Sequence, residues 1–574
     1  MAIKRYLMMG AKLGIGCFPK PVRNFVKKSP ALTSLYSRSL QKSGLFYGFP
    51  SQRKLQALYV NIIKSQDVKI TNIIRDSVIV NPKIDVVIFT TEKGRVESTL
   101  VSLSTQVDYI NTVYIVNPEK HYIQSSDIAC DFVVIDGISS IQRTENSVPL
   151  LLLNQGDVLH SQALAIITRQ VLEGVLYTDS DEINDESERC NARMLPAWNP
   201  DYQLSAGYIE TAIVILPKIM DMFCVSNHVS ITAFVACLCD NKFDIAIKHL
   251  PLSLVSYSDS NKRKLKDLKA LVGIIESIGA SAKLDRNYLV NKVHWPINKN
   301  PLVSLIIPTK NSKNLVQNCI ESILSKTSYT NYEILLIDNN SDEKESLEYF
   351  ALLSSHPKVT VLKYPYPFNY SAINNFAVKH AQGSVVGLVN NDIEVISPDW
   401  LHFMVGHVLR EDIGCVGAKL LYPDNRIQHA GVVMGYGGGA GHAHKYFPRY
   451  HPGYLNRLIA SHNFSAVTAA CLLVKKSDYL AVGGLNETDL TVAFNDVDFC
   501  LRVLESGRRN IYCAEAELYH HESISRGLDD TTQKRARFES ELVYLQETWH
   551  AYIEHDPAYN PNLTLKRENF SIRE

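Results

Sequence analysis

The chain has 574 residues and a mass of 64.5 kDa, so its length predicts roughly two to four folding units. Hydrophobic residues make up 46% of it and charged residues 21%, which is typical of globular domains and excludes a disordered or low-complexity chain. The 59 basic residues balance the 59 acidic ones, so no overall field favours nucleic acid as a partner.

The N-terminal segment, residues 1–80, differs from the rest of the chain in charge. Its first 66 residues contain twelve Lys or Arg and no Asp or Glu, which leaves 47 basic residues against 59 acidic ones in the remainder. Aromatic and aliphatic side chains are interspersed among these cations, as in segments that lie on anionic membrane surfaces, although a solvated basic arm has the same composition. We therefore predict a basic amphipathic segment that contacts a membrane surface.

Two further features indicate where the protein resides. No apolar run is long enough to cross a bilayer as a helix, and the first residues lack the apolar stretch and cleavage site of a secretory signal. The eleven cysteines are scattered without zinc or redox spacing, which fits a reducing compartment. These features predict a cytoplasmic protein.

Apolar runs of strand length alternate with segments of helical period in two successive parts of the chain, which predicts two mostly parallel sheets flanked by helices. We bound the first of these α/β domains at residues 81–258. Its predicted strands are 84–89, 112–116, 132–135, 150–153 and 174–177. A Lys-rich helical stretch at 259–300 is predicted to link it to the second domain.

The second domain is bounded at residues 301–530 and is followed by a predicted C-terminal helix and tail at 531–574. Its predicted strands are 303–307, 332–337, 359–362, 385–389, 416–421 and 472–475. Helical periodicity places one helix behind Asn311 or Ser312 as its N-cap and another from about 496 to 506, where Gly507 stops it.

Four polar clusters in the second domain follow predicted strands or open a helix. They are Pro308-Thr309-Lys310-Asn311, Asp338-Asn339-Asn340-Ser341, Asn390-Asn391-Asp392 and Asn495-Asp496-Val497-Asp498. In open parallel sheets, ligands bind beyond the carboxyl ends of the strands. Each cluster alone is also consistent with a turn or a cap, since Asp and Asn favour both.

Together these clusters resemble the motifs of the family 2 glycosyltransferases with the GT-A fold, and most closely those of bacterial enzymes that build O-antigen and related polysaccharides, many described as rhamnosyltransferases. The shared segments are 303–309, 337–341, 368–375, 388–394, 428–431, 494–502 and 519–523. The C-terminal segment 556–563 also resembles the tail of these enzymes. The resemblance implies two GT-A domains in tandem, each with the Rossmann-like fold of nucleotide-diphospho-sugar transferases.

The activity that the resemblance implies is inverting sugar transfer from a nucleotide-diphospho-sugar, dTDP-rhamnose or a UDP-sugar, to a lipid-linked acceptor in O-antigen or lipopolysaccharide biosynthesis. It implies a protein peripheral on the inner face of a bacterial inner membrane. The alternative is a non-catalytic glycan-binding scaffold of a polysaccharide assembly complex. The sequence leaves the donor, the linkage and the oligomeric state open.

The resemblance also assigns the donor side of the site. Asp392 stands at the position of the DxD motif and is implied to bind Mn²⁺ or Mg²⁺, because a departing diphosphate needs a hard cation held by few protein ligands. His520 or His521, which follow a predicted strand, is implied to contribute to the metal or the diphosphate. The residues implied to contact the nucleotide-sugar are Thr309, Asn311, Asp338, Asn390, Asn391 and Arg526.

On the acceptor side, Asp496 matches the family's catalytic base, which takes the proton of the attacking hydroxyl. Asp498 and Arg502 are further candidates for acceptor contact, although an ion pair between residues four apart on a helix explains them equally well. A glycine-rich stretch that ends at His442 predicts a mobile loop near the acceptor, with a plain surface loop as the alternative.

The first domain is predicted to be a degenerate copy of the second. Its segment 153–157, Leu-Asn-Gln-Gly-Asp, is interpreted as lacking both metal-side acids, and residues 227–232 contain no carboxylate where the base is expected. Asp179 and Asp181 are the candidates for a second site in this domain. A structural role, or the holding of a growing glycan, is the preferred interpretation.

Overall fold

A computed structural model of the chain describes residues 50, 52–90, 96–117, 132–141, 148–184, 186–219, 230–240, 245–257, 261–521 and 531–574. The basic segment before residue 50 therefore lies outside the described residues, as does Arg526. In the part of the chain that the structure describes, no helix combines the length and the apolarity needed to cross a membrane.

The first domain is built on one large sheet. Its strands are β1 (Ile84–Phe89), β2 (Ile110–Val116), β3 (Phe132–Ile135), β4 (Leu150–Asn154), β5 (Val158–Leu159), β6 (Val175–Ile183), β7 (Arg189–Arg193), β8 (Ile213–Ile215) and β9 (Ile247–Tyr257). Its helices are α1 (Gln52–Asp76), α2 (Glu97–Ser104), α3 (Ala163–Ile167), α4 (Pro200–Ala206) and α5 (Ile231–Cys237). The strand order is β3-β2-β1-β4-β8-β6-β9-β5, and β7 pairs with β6.

The segment predicted as a helical linker is only half helical. Helix α6 (Asn261–Ser277) is followed by an antiparallel hairpin of β10 (Ser281–Asp285) and β11 (Val290–His294). Gly279, with φ of 86°, lies where the helix gives way to the hairpin, a backbone conformation that glycine adopts without strain. Leu268 and Leu271 of α6 are buried against α5, so this segment packs as part of the first domain.

The second domain repeats the architecture with a larger sheet. Its strands are β12 (Val303–Thr309), β13 (Tyr332–Asp338), β14 (Val359–Lys363), β15 (Val385–Val389), β16 (Ile393–Val395), β17 (Ile413–Leu421), β18 (Ile427–His429), β21 (His462–Phe464), β22 (Cys471–Lys475) and β23 (Arg509–His520), with a separate hairpin of β19 (Val432–Met434) and β20 (Ala440–His442). Its helices are α7 (Lys313–Lys326), α8 (Lys344–Leu353), α9 (Tyr370–His380), α10 (Trp400–Val408), α11 (Lys476–Ala481), α12 (Asn495–Glu505), α13 (Thr532–Thr548) and α14 (His550–Glu554).

The two sheets have the same strand order. The second reads β14-β13-β12-β15-β22-β17-β23-β16, with β18 added to β17 as β7 is added to β6. Position by position, this repeats the order of the first sheet, including the antiparallel strand between two parallel halves. The predicted fold class of two mostly parallel α/β domains in tandem is confirmed.

Every strand predicted in the two domains is present. The central strands, such as β1, β4, β12 and β15, are buried on both faces and therefore read as continuous apolar runs, whereas β3 and β14, at the first edge of each sheet, are partly exposed. In the second sheet, Val303 and Leu305 pack on one face while Ile306 and Leu335 pack on the other. The strands not predicted are short, such as β5, β8 and β16, or polar at one end, as β9 is. Helix α12 ends before Gly507 as predicted.

Candidate active site

A cavity of about 550 Å³ opens at the carboxyl ends of β12 and β15. It brings together seven of the residues that the sequence singled out, which are Thr309, Asn390, Asn391, Asp392, His442, Asp496 and His520. Parallel strands end at one edge of a sheet, which is why segments nearly two hundred residues apart in the chain meet there.

The Asp392 carboxylate and the His520 imidazole form a pair at this edge. Asp392 Oδ1 lies 3.2 Å from His520 Nε2, because the start of β16 pairs with the end of β23 and places Ile393 opposite His520. Burial raises the pKa of the Asp392 carboxyl, but the hydrogen bond and charge of His520, the backbone N–H of Asp392 and the charge of His521 together lower it more, so the net pKa lies below its usual range. Asp392 is therefore a carboxylate at neutral pH.

The pair suits a divalent cation. Among the described residues, Asp392 Oδ1 and His520 Nδ1 form no well-aligned hydrogen bond, and the contact of Oδ1 is the one with His520 Nε2 at 3.2 Å. A bound cation would satisfy this buried oxygen, which is costly to leave without a full partner. No cluster of three or more ligand-type side chains exists in the described ranges. Mg²⁺ is commonly held by one or two carboxylates plus substrate phosphates, so the residues present fit a cation that a diphosphate helps to bind.

His520 and His521 have different surroundings, because successive residues of a strand point to opposite faces. His520 lines the cavity, whereas His521 Nε2 lies 3.2 Å from Glu394 Oε2 on the other side of β16. The structure thus places His521 outside the cavity lining and favours His520 of the two for the predicted metal contact.

Asp496 lies in the first turn of α12, where the helix dipole favours a negative charge. Its Oδ2 accepts hydrogen bonds from Thr468 Oγ1 at 2.9 Å and from the Ala469 N–H at 3.0 Å, and its Oδ1 accepts from the Val497 N–H at 2.9 Å. Burial nevertheless raises the pKa of the carboxyl above its usual value, since these hydrogen bonds offset it only in part. A fixed carboxylate with a raised pKa is suited to accept a proton.

Three amide and hydroxyl side chains form the edge of the cavity next to Asp392. Asn391 Nδ2 donates to Thr309 Oγ1 at 2.9 Å, which joins β12 to the loop after β15. Asn390 Oδ1 accepts from the Tyr370 hydroxyl at 3.2 Å. Tyr370 belongs to the shared segment 368–375 and had no predicted role. Its hydrogen bond orients Asn390 toward His520, whose Nε2 lies 3.4 Å from Asn390 Nδ2.

Asn311 and Asp338 are not among the side chains that line the cavity. Asn311 Oδ1 accepts the N–H groups of Asp342 and Glu343 at 2.9 and 3.1 Å, so it caps the loop after β13 and not its own helix, whose N-cap is Ser312. Asp338 Oδ1 accepts from Ser341 N–H at 3.0 Å. Both residues therefore form turn contacts, as the propensity of Asn and Asp allows, and their assignment to the nucleotide stays a prediction.

Asp498 and Arg502 form the ion pair that their spacing allowed. Arg502 Nη2 lies 2.8 Å from Asp498 Oδ2, and Trp549 Nε1 donates to the other Asp498 oxygen at 2.9 Å. Asp498 is buried and neither residue lines the cavity. The structure therefore does not bring this pair to the acceptor side.

The glycine-rich stretch before His442 forms the turn of the β19–β20 hairpin. Gly435, Gly437 and Gly438 have φ values of 92°, 62° and 80°, which only glycine adopts freely. The hairpin places His442 beside His429, with their Nδ1 atoms 2.9 Å apart. His429 lies in the shared segment 428–431 and had no assigned role. What the sequence predicts as a mobile loop is thus a hydrogen-bonded hairpin.

The two first-domain candidates are buried and bound by protein groups. Asp181 accepts from Arg189 Nε at 2.6 Å, from the Tyr59 hydroxyl and from Ser256 Oγ. Asp179 accepts from the Leu195 N–H at 2.8 Å and lies 2.8 Å from His249 Nε2. Neither carboxylate lines the cavity of the second domain, and among the described residues both are occupied by protein contacts.

The metal-side acid of the first domain is present, contrary to the sequence-based interpretation. Asp157 directly precedes β5, whose Val158 pairs with Ser256 of β9, just as Asp392 directly precedes β16, whose Ile393 pairs with His520. Ser256 thus replaces the histidine. Asp157 accepts hydrogen bonds from the Asn154 N–H at 2.7 Å and from Thr211 Oγ1, and it is completely buried.

The C-terminal tail reaches back to Asp179. Asn560 Nδ2 donates to both oxygens of that carboxylate, at 3.0 and 2.9 Å, and to the Leu195 carbonyl at 2.8 Å. Asn562 Nδ2 donates to the Pro251 carbonyl at 3.0 Å. The tail is therefore part of the first domain's core as well as the second's.

Asn560→Ala is expected to lower the free energy of unfolding by about 1.5–3 kcal/mol, because it removes hydrogen bonds to a buried charge. The urea transition of the full chain measures the effect. Asn318→Ala, on the exposed face of α7, is the control and should change stability by less than about 0.5 kcal/mol. Equal stability of the two variants would contradict the inferred role of the tail.

A tandem α/β fold of this strand order, with a polar cavity at the strand ends of one copy, defines the class of GT-A glycosyltransferases. Residues 304–476 match the family described as Glycosyl transferase family 2. The chain therefore carries a family 2 glycosyltransferase domain, as its motifs predicted.

Two curated relatives align with most of the chain. One is an uncharacterized protein, y4gI, of Sinorhizobium fredii, 41% identical over 450 residues that make up 74% of this chain and 49% of the relative. The other is the O-antigen biosynthesis protein RfbC of Myxococcus xanthus, 29% identical over 73% of this chain and 34% of the relative. The chain thus spans half or less of the length of these relatives.

Among solved structures, the chain is similar to a mannosyltransferase of Pyrobaculum calidifontis in complex with GDP-Man and Mn²⁺. The two chains are 16% identical, with a TM-score of 0.33, over 51% of this chain and 76% of the other.

Proposed function

We propose that the second domain is an inverting glycosyltransferase that moves a sugar from a nucleotide-diphospho-sugar to a glycan acceptor. One observation carries the proposal, namely that a helix-terminal carboxylate with a raised pKa and a carboxylate–imidazole pair line the same cavity. The first arrangement suits proton transfer, and the second suits a cation that holds a diphosphate.

Each half of the cavity has a separate task in this mechanism. Asp392 and His520 would hold Mn²⁺ or Mg²⁺, which supplies positive charge to the leaving diphosphate when bound. Thr309, Asn390 and Asn391 offer hydroxyl and amide groups beside that position. Arg526, outside the described residues, is retained as a proposed contact to the diphosphate, since a guanidinium suits phosphate.

Asp496 takes the proton of the acceptor hydroxyl. The hydroxyl oxygen forms a bond to the anomeric carbon while the bond from that carbon to the diphosphate breaks, and the nucleoside diphosphate leaves with the electron pair. Attack from the face opposite the leaving group inverts the anomeric centre in one displacement. Thr468 and the Ala469 N–H hold the carboxylate in place for this step.

The acceptor and the location are also proposals. The RfbC relative is described by its name as an O-antigen biosynthesis protein, which supports a lipid-linked surface polysaccharide as acceptor and dTDP-rhamnose or a UDP-sugar as donor. A lipid-linked acceptor lies at a membrane surface, and the basic residues before Asp67 would attract anionic lipid there. We propose peripheral attachment to the cytoplasmic face of the inner membrane.

The test of the proposed function is turnover of a donor panel by the full chain. UDP-, dTDP- and GDP-sugars are incubated with Mn²⁺ or Mg²⁺ and with lipid-linked acceptors ending in N-acetylglucosamine, galactose or rhamnose, and release of nucleoside diphosphate is measured. Metal-dependent turnover of one donor is expected. Glycan binding without turnover of any donor would favour the non-catalytic scaffold instead.

The acid limb of the pH profile is expected to follow Asp496. Because burial raises the pKa of this carboxyl, the base is protonated and the rate falls at a higher pH than for an exposed carboxyl. The other titratable groups lining the cavity are Lys310, Tyr370, Asp392, His442 and His520. Measured kcat between pH 4 and 8 should decline as pH falls, with a midpoint above about 4. A flat profile through that range would contradict the assignment.

A further inference from the structure

His429 and His442 face each other across strands β18 and β20, beside the cavity. Their Nδ1 atoms lie 2.9 Å apart, and two neutral imidazoles at that distance require that one Nδ1 carries a hydrogen and the other accepts it. The surroundings of His429 decide which one does.

The Nε2 atom of His429 is already an acceptor. It receives the backbone N–H of Gly431 at 3.3 Å and that of Thr468 at 3.4 Å, so a hydrogen on Nε2 would face two donors. The hydrogen of neutral His429 must therefore lie on Nδ1, from which it is donated to His442 Nδ1. By the same accounting, neutral His442 carries its own hydrogen on Nε2.

Both rings are kept neutral by their surroundings. Burial, together with the nearby His442 and His520, lowers the pKa of His429 well below its usual value. Burial, together with Lys445 and His520, lowers the pKa of His442 to about 3. The pair thus has one fixed arrangement of hydrogens at physiological pH, with a single donor, His442 Nε2–H, at its end.

That donor belongs to a side chain that lines the cavity. His442 is one of the lining side chains, and within the described residues no hydrogen bond to its Nε2 is formed. Thr468 connects the pair to the base, since its N–H is donated to His429 and its hydroxyl is donated to Asp496 at 2.9 Å. The same short segment thus positions both the base and the histidine pair.

We propose that His442 binds the acceptor sugar by donating its Nε2–H to an oxygen next to the hydroxyl that Asp496 deprotonates, and that His429 is a positioning residue that fixes the tautomer of His442. The proposal rests on the proposed function and adds a residue for acceptor recognition to it. A fixed neutral donor suits an uncharged hydroxyl or ring oxygen.

The experiment separates acceptor binding from donor chemistry. His442→Phe, His429→Phe and the double variant are prepared in the full chain, and each is assayed for transfer to the acceptor panel and for hydrolysis of the donor by water. Each single variant is expected to raise KM for the acceptor about tenfold, as for one lost hydrogen bond, while donor hydrolysis stays within about twofold. His550→Phe, exposed on α14, is the control.

Two further readouts distinguish positioning from packing. Because His429 acts through His442, the double variant should be no worse than either single one. His442→Gln, which keeps an amide N–H near the place of Nε2, should recover part of the acceptor affinity. Effects that add in the double variant, or donor hydrolysis that falls together with transfer, would overturn the proposal. Failure of the unsubstituted chain to turn over any donor would instead refute the proposed function on which it rests.

Discussion

Asp496→Asn is expected to lower the rate of sugar transfer by about 10²–10⁴-fold, the usual contribution of a positioned general base. The substitution keeps the size of the side chain and an oxygen that accepts from Thr468 and Ala469, but an amide cannot take the acceptor's proton. Because the carboxylate is bound by Thr468 and the Ala469 N–H, and the Asp392–His520 pair is a separate contact, binding of the donor and of the metal should change little.

The measurement is single-turnover transfer at saturating donor and acceptor, with donor affinity determined separately by titration. Asp489→Asn is the matched control, because Asp489 is an exposed carboxylate in the loop before α12 and should transfer sugar at the unsubstituted rate. A loss of less than about fivefold in Asp496→Asn would place the base elsewhere in the cavity.

Asp392→Asn is expected to have the second largest effect. Since the Asp392 carboxylate and His520 are the two ligand-type side chains that meet at this edge of the cavity, neutralising one should raise the Mn²⁺ concentration needed for half-maximal activity at least about tenfold. Maximal activity should fall as well, because the leaving diphosphate loses part of its stabilisation.

A binding measurement makes this prediction independent of turnover. Mn²⁺ binding in the presence of nucleoside diphosphate, followed by electron paramagnetic resonance, should weaken in Asp392→Asn and stay unchanged in Glu394→Gln. Glu394 is two residues away and contacts His521 and Lys326 outside the cavity. Equal Mn²⁺ affinity of the two variants would remove Asp392 from the metal site.

The parts of the site that could be predicted from the sequence are those set by a strand end. Asp392 follows the buried strand β15, and Asp496 lies in the first turn of the amphipathic helix α12. The hydrophobic pattern of the neighbouring residues predicts both positions. The choice between His520 and His521 could not be made, because it depends on the register between β16 and β23, which are more than one hundred residues apart.

Where the structure and the sequence-based expectations differ in position, competing local contacts are the common physical cause. Asn311 and Asp338 have the residue types of a nucleotide site, yet their oxygens are used by the backbone of a neighbouring turn. The correspondence between Asp157 and Asp392 could not be recognised from the sequence. It becomes visible only in the strand pairing, because each of these acids directly precedes the short strand that pairs with the last long strand of its sheet. Such contacts are formed by tertiary structure and leave no periodic signal.

The contact of the tail with Asp179 has a consequence for biosynthesis. Asn560 follows Asp179 by 381 residues, so at about 5–20 residues per second the ribosome needs roughly 20–80 s to make the segment that completes the first domain. During that time the buried Asp179 carboxylate of the first domain lacks the Asn560 amide that binds both of its oxygens in the complete chain. Folding of the first domain is therefore expected to be completed only after the C-terminal tail has been synthesised, and the nascent domain is expected to need chaperones until then.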